Sequence, residues 1–310
     1  MQTFDLYGLR IRSEIGLGTP TSRRGPVDIT VRWGKTFAYA IPPSTTPPLA
    51  TLSLGNRTGY THVRGGSGYT LHFHDLCCLC VAADRSSIRV HLAPGANRDI
   101  VPLVLGGNAL AFLLTLRGEC VLHASAVELS GTAVAFLGGS GNGKSTLAAL
   151  LCDGRARPVT DDLLRVTSET VIRCYRGPPE IRLRPNAAAI AQRFPDWGQP
   201  SADGRVVVRP SQRPPRERAG LPRLGAIIIP HPSRTCRRLT LRRLGAAEAL
   251  YALLCHPRVG GLRDAELQRH HFQHSTRLVH RVPVYDAHIP WGPPFDPDLA
   301  ATIERQLALS

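Results

Sequence analysis

Gly138-Gly139-Ser140-Gly141-Asn142-Gly143-Lys144-Ser145 is the stretch on which the reading of this chain turns. It satisfies G-x-x-x-x-G-K-[ST], and its flanks suit a phosphate-binding loop. The apolar run Ala133-Val134-Ala135-Phe136-Leu137 predicts a strand entering it, and Thr146-Leu147-Ala148-Ala149-Leu150-Leu151 predicts a helix leaving it. Glycines let backbone N–H groups converge on phosphate oxygens, and the helix N-terminus adds partial positive charge. Lys144 is expected to reach the terminal phosphates and the Ser145 hydroxyl to meet Mg²⁺, with Thr146 beside them. Of the 38 basic residues only Lys35 and Lys144 are lysine. A compact ammonium therefore stands where such a loop needs one, in a chain whose default cation is arginine. These features predict a site for a nucleoside triphosphate, taken as ATP.

A length of 310 residues allows one large domain or two ordinary ones. The formal charge of +15 comes from arginine spread along the chain, which favours anionic partners in general. No aromatic-interleaved basic patch or nucleic-acid motif appears, so nucleic acid is not expected as a partner. The eight cysteines are scattered, several of them in apolar runs, as reduced and buried thiols are. The N-terminus lacks a charged start followed by an apolar run, so no signal peptide is expected. The apolar stretch 100–116 is broken by Pro102, Gly106, Gly107 and Asn108, and reads as a buried helix rather than a membrane span. A soluble, cytoplasmic protein without a membrane partner is the expectation, and a homo-oligomer is left open.

Working outward, residues 1–97 read as β-rich, with short alternating segments separated by Gly, Pro, Ser and Asn. A connecting helix is expected over 98–118 and the nucleotide-binding domain over 119–310. In that domain Pro158-Val159-Thr160-Asp161-Asp162 reads as a strand ending in two carboxylates. A hairpin is expected from 170–175 through Gly177-Pro178-Pro179 to 180–183. Residues 209–223, rich in proline and arginine, read as a solvated loop, with recruitment of an acidic peptide as the alternative. Residues 226–229 should form a buried strand. Helices are expected over 246–255 and 263–280, with a last one starting at Asp296-Pro297.

Two further readings concern the site. Cys120 to Leu129 and Thr132 to Leu137 predict a hairpin closed by Ser130-Gly131. If Leu129 pairs with Thr132, His123 falls opposite Gly138, at the mouth of the loop. Asp161 and Asp162 end a strand expected beside the loop strand, where α/β sheets bind ligands. One could hold Mg²⁺ and the other could orient an attacking hydroxyl or take its proton. His72, His74, Cys78 and Cys80 would share one face of an extended strand, too drawn out for a tetrahedral metal site. His270, His271 and His274 lie on a predicted helix and read as a solvated face.

His123-Ala124-Ser125-Ala126-Val127, the loop at 138–145 and Asp161-Asp162 together resemble the catalytic half of the HPr serine kinase/phosphorylase family. That family has a P-loop fold related to phosphoenolpyruvate carboxykinase. The likeness covers roughly 119–185. It implies an α/β P-loop kinase domain of the HPr kinase type, here behind an N-terminal β-rich domain. By that likeness Asp161 activates an acceptor serine hydroxyl, His123 is its partner, and Lys144 serves the transfer. Ser145 and Asp162 hold Mg²⁺, and Glu180 of Glu180-Ile181-Arg182 resembles a residue that helps bind metal. Leu183-Arg184-Pro185 departs from the family's glycine-rich continuation, which points away from the phosphocarrier HPr as acceptor. The first hundred residues look more like HPr-kinase-like proteins found beside peptide-modification genes, lasso-peptide systems included. The expected activity is ATP-dependent phosphorylation of a serine on a protein or peptide. The alternatives are a nucleotide-binding regulatory module and a small-molecule kinase.

Overall fold

Alternation of apolar and polar residues along the first ninety positions builds a sheet with one well-buried face. In the computed structural model, which describes residues 1–21, 24–36, 47–55, 57–154, 156–194, 200–210 and 220–308, this region carries eight strands. They are β1 (Gln2–Leu6), β2 (Leu9–Ser13), β3 (Ile29–Trp33), β4 (Ala50–Leu54), β5 (Arg57–Gly65), β6 (Gly68–Phe73), β7 (Cys77–Ala82) and β8 (Ser87–Leu92). Their order is β1-β2-β3-β8-β7-β6-β5-β4, with β3 parallel to both its neighbours and every other pair antiparallel. The period of two is visible where Ile29 and Val31 of β3, and Ile88 and Val90 of β8, are all buried.

A helical stretch, Arg98–Leu116, follows and buries Leu105, Leu110, Phe112, Leu113 and Leu114. Its interruption at Gly106, Gly107 and Asn108 is accommodated as a π turn over Leu105–Ala109 instead of a break. Among the described residues it is the one helix long and apolar enough to cross a membrane by length and composition, and half of its apolar window is buried in protein.

The chain divides into two compact units, Met1–Gly118 with Val259–His270, and Glu119–Arg258 with His271–Ser310. The helix at 98–116 is part of the first unit. So is a short return segment, whose Gly261 carbonyl accepts from Thr51 N at 2.9 Å and whose Gly260 carbonyl accepts from the Tyr60 hydroxyl at 2.8 Å.

The second unit is mixed α/β. Its strands are β9 (Cys120–Leu122), β10 (Ala124–Leu129), β11 (Thr132–Leu137), β12 (Arg157–Thr160), β13 (Leu164–Val166), β14 (Ile181–Leu183), β15 (Val206–Val208), β16 (Arg223–Ser233), β17 (Thr240–Arg243) and β18 (Val284–Pro290). The main sheet has six strands in the order β12-β10-β11-β16-β18-β17, and β11, β16 and β18 run parallel. Two small sheets, β13-β9 and β14-β15, stand beside it. Helices Lys144–Gly154, Ala246–Cys255 and Leu299–Gln306 complete the unit's longer elements, together with the part of helix Ala265–Val279 from His271 onward. The apolar run of β11 is explained by burial of both its faces. Val134 and Phe136 join one core cluster with Leu147 and Leu151, while Ala133, Ala135 and Leu137 join another with Ile227 and Leu253.

Two expectations are corrected. The segment at 180–183 does not pair with 170–175: β14 pairs with β15, while Cys174 bridges Val166 and its N–H donates to the Pro222 carbonyl. The run from His72 to Cys80 is not one extended strand. It turns at His74-Asp75-Leu76, with Asp75 at φ 59°, so that His72 faces Cys78 across β6 and β7 and Cys78 faces His91 on β8. Among the described residues no group of three or more His, Cys, Asp or Glu is arranged to hold a metal, either there or at His270, His271 and His274. Residues 211–219 of the arginine-rich segment lie outside the described residues.

Candidate phosphate-binding site

The loop at 138–143 connects the end of β11 to the helix Lys144–Gly154. Gly138, Gly141 and Gly143 all have positive φ, which keeps the backbone in a tight turn ahead of the helix. Gly143 is the most constrained. Its φ is 76°, and a Cβ there would lie 3.2 Å from Cη2 of Trp291. The Lys144 ammonium curls back over its own loop and donates to the Gly138 and Gly139 carbonyls at 2.8 and 2.9 Å. Burial pushes its pKa down, with Asp162 and then Asp161 opposing.

The hairpin has the predicted register. Leu129 pairs with Thr132 and Ala124 with Leu137, so His123 sits beyond the last pair, level with Gly138. The strand that ends in the two aspartates is not beside the loop strand as expected: β10 lies between β12 and β11, and pairing with β10 still delivers Asp161 and Asp162 to the same end of the sheet. From there the two carboxylates diverge. Asp161 points into the protein. Its Oδ1 accepts from the hydroxyls of Ser125 at 2.5 Å and Ser145 at 2.8 Å, and its Oδ2 accepts from the Arg182 backbone N–H at 3.0 Å. Burial raises its pKa, and these hydrogen bonds work against that rise.

Asp162 adopts φ 72°, a left-handed conformation that aspartate tolerates better than most residues. Its Oδ1 meets His123 Nε2 at 2.9 Å and its Oδ2 meets Arg258 Nη2 at 2.9 Å. Burial pushes the Asp162 carboxyl upward, but Arg258 and then His123 outweigh it and hold the group well below the usual carboxylate range.

These residues open on a cavity of about 340 Å³, within the range of small-molecule sites. Its charged lining includes Lys144, Asp162, Arg182, Arg184 and Arg205, with His123, Ser140, Ser145 and Thr146 between them. Arg184 Nη2 donates to Ser140 Oγ at 2.8 Å, which brings a second cation onto the loop. Arg182 and Arg205 share the carboxylate of Asp203. A cavity with this surplus of cations suits a polyanion. Gly138, Gly139 and Asn142 build the floor of the loop but do not line the cavity.

Measured against the expected assignments, the two aspartates have exchanged surroundings. The Ser145 hydroxyl is on Asp161 and not on Asp162. Asp162 lines the cavity beside His123, whereas Asp161, the expected base, does not. Glu180, expected at a metal, is paired with Arg209 at 3.1 Å and is not part of the cavity wall. The sequence reading missed Ser125, Arg184, Arg205, Arg258 and Trp291. Arg184 lies two residues past the Glu180-Ile181-Arg182 segment and carried some signal. Arg258 and Trp291 reach the site from far along the chain and carried none. A scan against protein-family models finds no match for this chain, and neither does a search of curated proteins.

Proposed function

We propose that the chain is an ATP-dependent serine kinase of the HPr kinase type, acting in the cytoplasm on a protein or peptide. The observation that carries the reading is Asp162, held ionised by Arg258 and His123 at the edge of the cavity that Lys144 also lines. In this reading the loop amides and Lys144 take the β- and γ-phosphates, and Arg184 adds charge where the transferring group passes. The acceptor oxygen attacks the γ-phosphorus, the bond from that phosphorus to the bridging oxygen breaks, and ADP leaves. Asp162 orients the acceptor hydroxyl and takes its proton as the new O–P bond forms, while His123 fixes the carboxylate.

Asp161 serves a different end, holding the Ser145 hydroxyl in place. Mg²⁺ fits here, since it asks for one or two protein oxygens and completes its shell with phosphate and water. Ser145 Oγ, with the Asp161 carboxylate behind it, would hold the ion, which supplies charge neutralisation on the phosphates when bound.

The test is incubation with ATP, Mg²⁺ and the peptides encoded beside the gene, read by mass spectrometry for the gain of one phosphoryl group. ATP binding is measured in parallel. Wild type should transfer, Lys144→Ala should lose binding and transfer, and Asp162→Asn should keep ATP while transfer falls by roughly 10² or more. A wild type that binds ATP but transfers to no peptide and not to water would favour the regulatory-module reading. Unaltered transfer by Lys144→Ala would remove the P-loop kinase altogether.

A further inference from the structure

The charged residues account for only part of the cavity. Trp291, Phe295, Ile190, Pro232 and Pro293 line it as well, and phosphate chemistry gives them no task. Trp291 immediately follows β18, and its backbone N–H donates to the Ser233 carbonyl at the end of β16 at 3.1 Å. The indole is thus fixed at the carboxyl ends of β16, which neighbours the phosphate-loop strand, and of the parallel β18 beyond it, where open α/β sheets take their ligands. The Trp291 and Phe295 ring centres are 5.4 Å apart and perpendicular. Both side chains pack on the core cluster that includes Phe136 and Leu147, yet both remain only partly buried. Aromatic surface is therefore left open to the cavity, and the indole borders Gly143, the residue before Lys144, closely enough that a Cβ there would lie 3.2 Å from Cη2 of the ring.

We propose that Trp291 and Phe295 seat the base of the bound nucleotide, an inference that rests on the phosphate-loop reading and adds its base-recognition half. A triphosphate held on the amides of Gly143 and Lys144 carries its nucleoside into the same cavity. A flat, partly exposed indole beside that loop offers a face to the base. The perpendicular Phe295 backs the indole and bounds the slot, with Ile190, Pro232 and Pro293 closing it. Stacking is tolerant of base identity and contributes affinity without reading hydrogen-bonding edges. The occupant is a nucleobase and not an acceptor side chain, because the indole shares the cavity wall with Gly143 and Lys144 and leaves little room for a Cβ on the residue next to the lysine that takes the phosphates.

The experiment compares equilibrium binding of ATP with that of inorganic triphosphate, each with Mg²⁺, using the full chain. The proteins are wild type, Trp291→Ala, Trp291→Phe and Phe295→Ala. Wild type should bind ATP more tightly than triphosphate. Trp291→Ala should weaken ATP roughly tenfold, in line with the loss of one base–aromatic stack, and leave triphosphate unchanged. Trp291→Phe should retain most of the ATP affinity, and Phe295→Ala should fall between the two. These last variants carry the test if Trp291→Ala does not fold. ATP affinity untouched by Trp291→Ala would overturn the proposal. So would equal weakening of ATP and triphosphate, which would make Trp291 a support for Gly143 only. A wild type that binds the two ligands equally would overturn the base seat while leaving the phosphate loop standing. One that binds neither would overturn both.

Discussion

Asp162→Asn separates the electrostatics of the site from its shape. The substitution keeps the size of the side chain but withdraws the charge that His123 and Arg258 each meet at 2.9 Å. Removing one partner of a fully buried pair costs about 3–5 kcal/mol, because the other charge is stranded. The Arg258 side chain is only 8% exposed, but that of Asp162 is 36% exposed, so water can reach the vacated position. Discounted for that access, the expected loss is about 1–2 kcal/mol. For a unit of this size that is a fall in Tm of roughly 2–8 °C.

The pH dependence identifies the cause. A carboxyl held below its ordinary value contributes stability above the unfolded pKa of about 3.9 and loses it as pH falls through the lower folded value. The Tm gap between wild type and Asp162→Asn should therefore survive from pH 8 to about 5 and close only below about 4. Asp161→Asn is the control of opposite sign. Burial raises the Asp161 pKa, so the wild type loses stability relative to that variant as pH rises from about 4 through the folded value. The lost acceptor for the Arg182 N–H costs about 1 kcal/mol and moves that gap without changing its slope. Differential scanning fluorimetry from pH 3 to 8 reads both series. Asp162→Asn melting with the wild type at pH 7, or two gaps that run the same way with pH, would refute the assignment of the paired and the buried carboxylate.

Three further outcomes are expected. Gly143→Ala places a methyl 3.2 Å from the Trp291 ring at φ 76°, so it should lose about 1–2 kcal/mol of stability together with ATP affinity; a wild-type Tm would show that the loop relaxes freely. Ser145→Ala removes the hydroxyl that lies on Asp161 at 2.8 Å and should abolish the gain in ATP affinity that Mg²⁺ gives, so a gain of wild-type size would take Ser145 out of the metal's shell. Cys80 is exposed, and a hydrogen bond from Cys78, followed by His91, brings its thiol down to about 6, while burial pushes Cys77, Cys120 and Cys174 up to about 12. Iodoacetamide at pH 7, with peptide mapping, should label Cys80 first with a half-rise near pH 6, and preferential labelling of another cysteine would count against that environment.

What the sequence disclosed follows from how local each signal was. The register of β10 on β11 was legible because Ser130-Gly131 leaves little freedom, and a two-residue turn fixes every later pair as far as Ala124 on Leu137, with His123 next in the chain. Helix Ala246–Cys255 was legible because alanine, leucine and glutamate, strong helix formers, make up most of it and no glycine or proline interrupts it. The partner of β14 was not. A three-residue strand carries no address, and Gly177-Pro178-Pro179 suggests a local turn where the real partner, β15, comes much later. The fold at His74-Asp75-Leu76 was overlooked because the apolar residues on either side read as one run, although an aspartate there was a usable turn signal. The split between Asp161 and Asp162 depends on a single left-handed φ and on Arg258, neither of which adjacent identical residues can reveal.

The return of Val259–His270 to the first unit bears on how this protein can be made and dissected. Neither unit is one uninterrupted length of chain. A truncation after Gly118 yields a fragment without the backbone groups that Thr51 and Tyr60 bond to at Gly261 and Gly260. During synthesis the first unit must wait for its last segment until the phosphate loop, both aspartates and Arg258 have already left the ribosome. The reverse excision, starting at Glu119, retains 259–270 with its bonding partners gone. Expression of either half alone should therefore give material with exposed backbone and a tendency to aggregate. Isolating the halves calls for grafts that close the gap between 258 and 271 with a short linker, rather than for a cut at a single point.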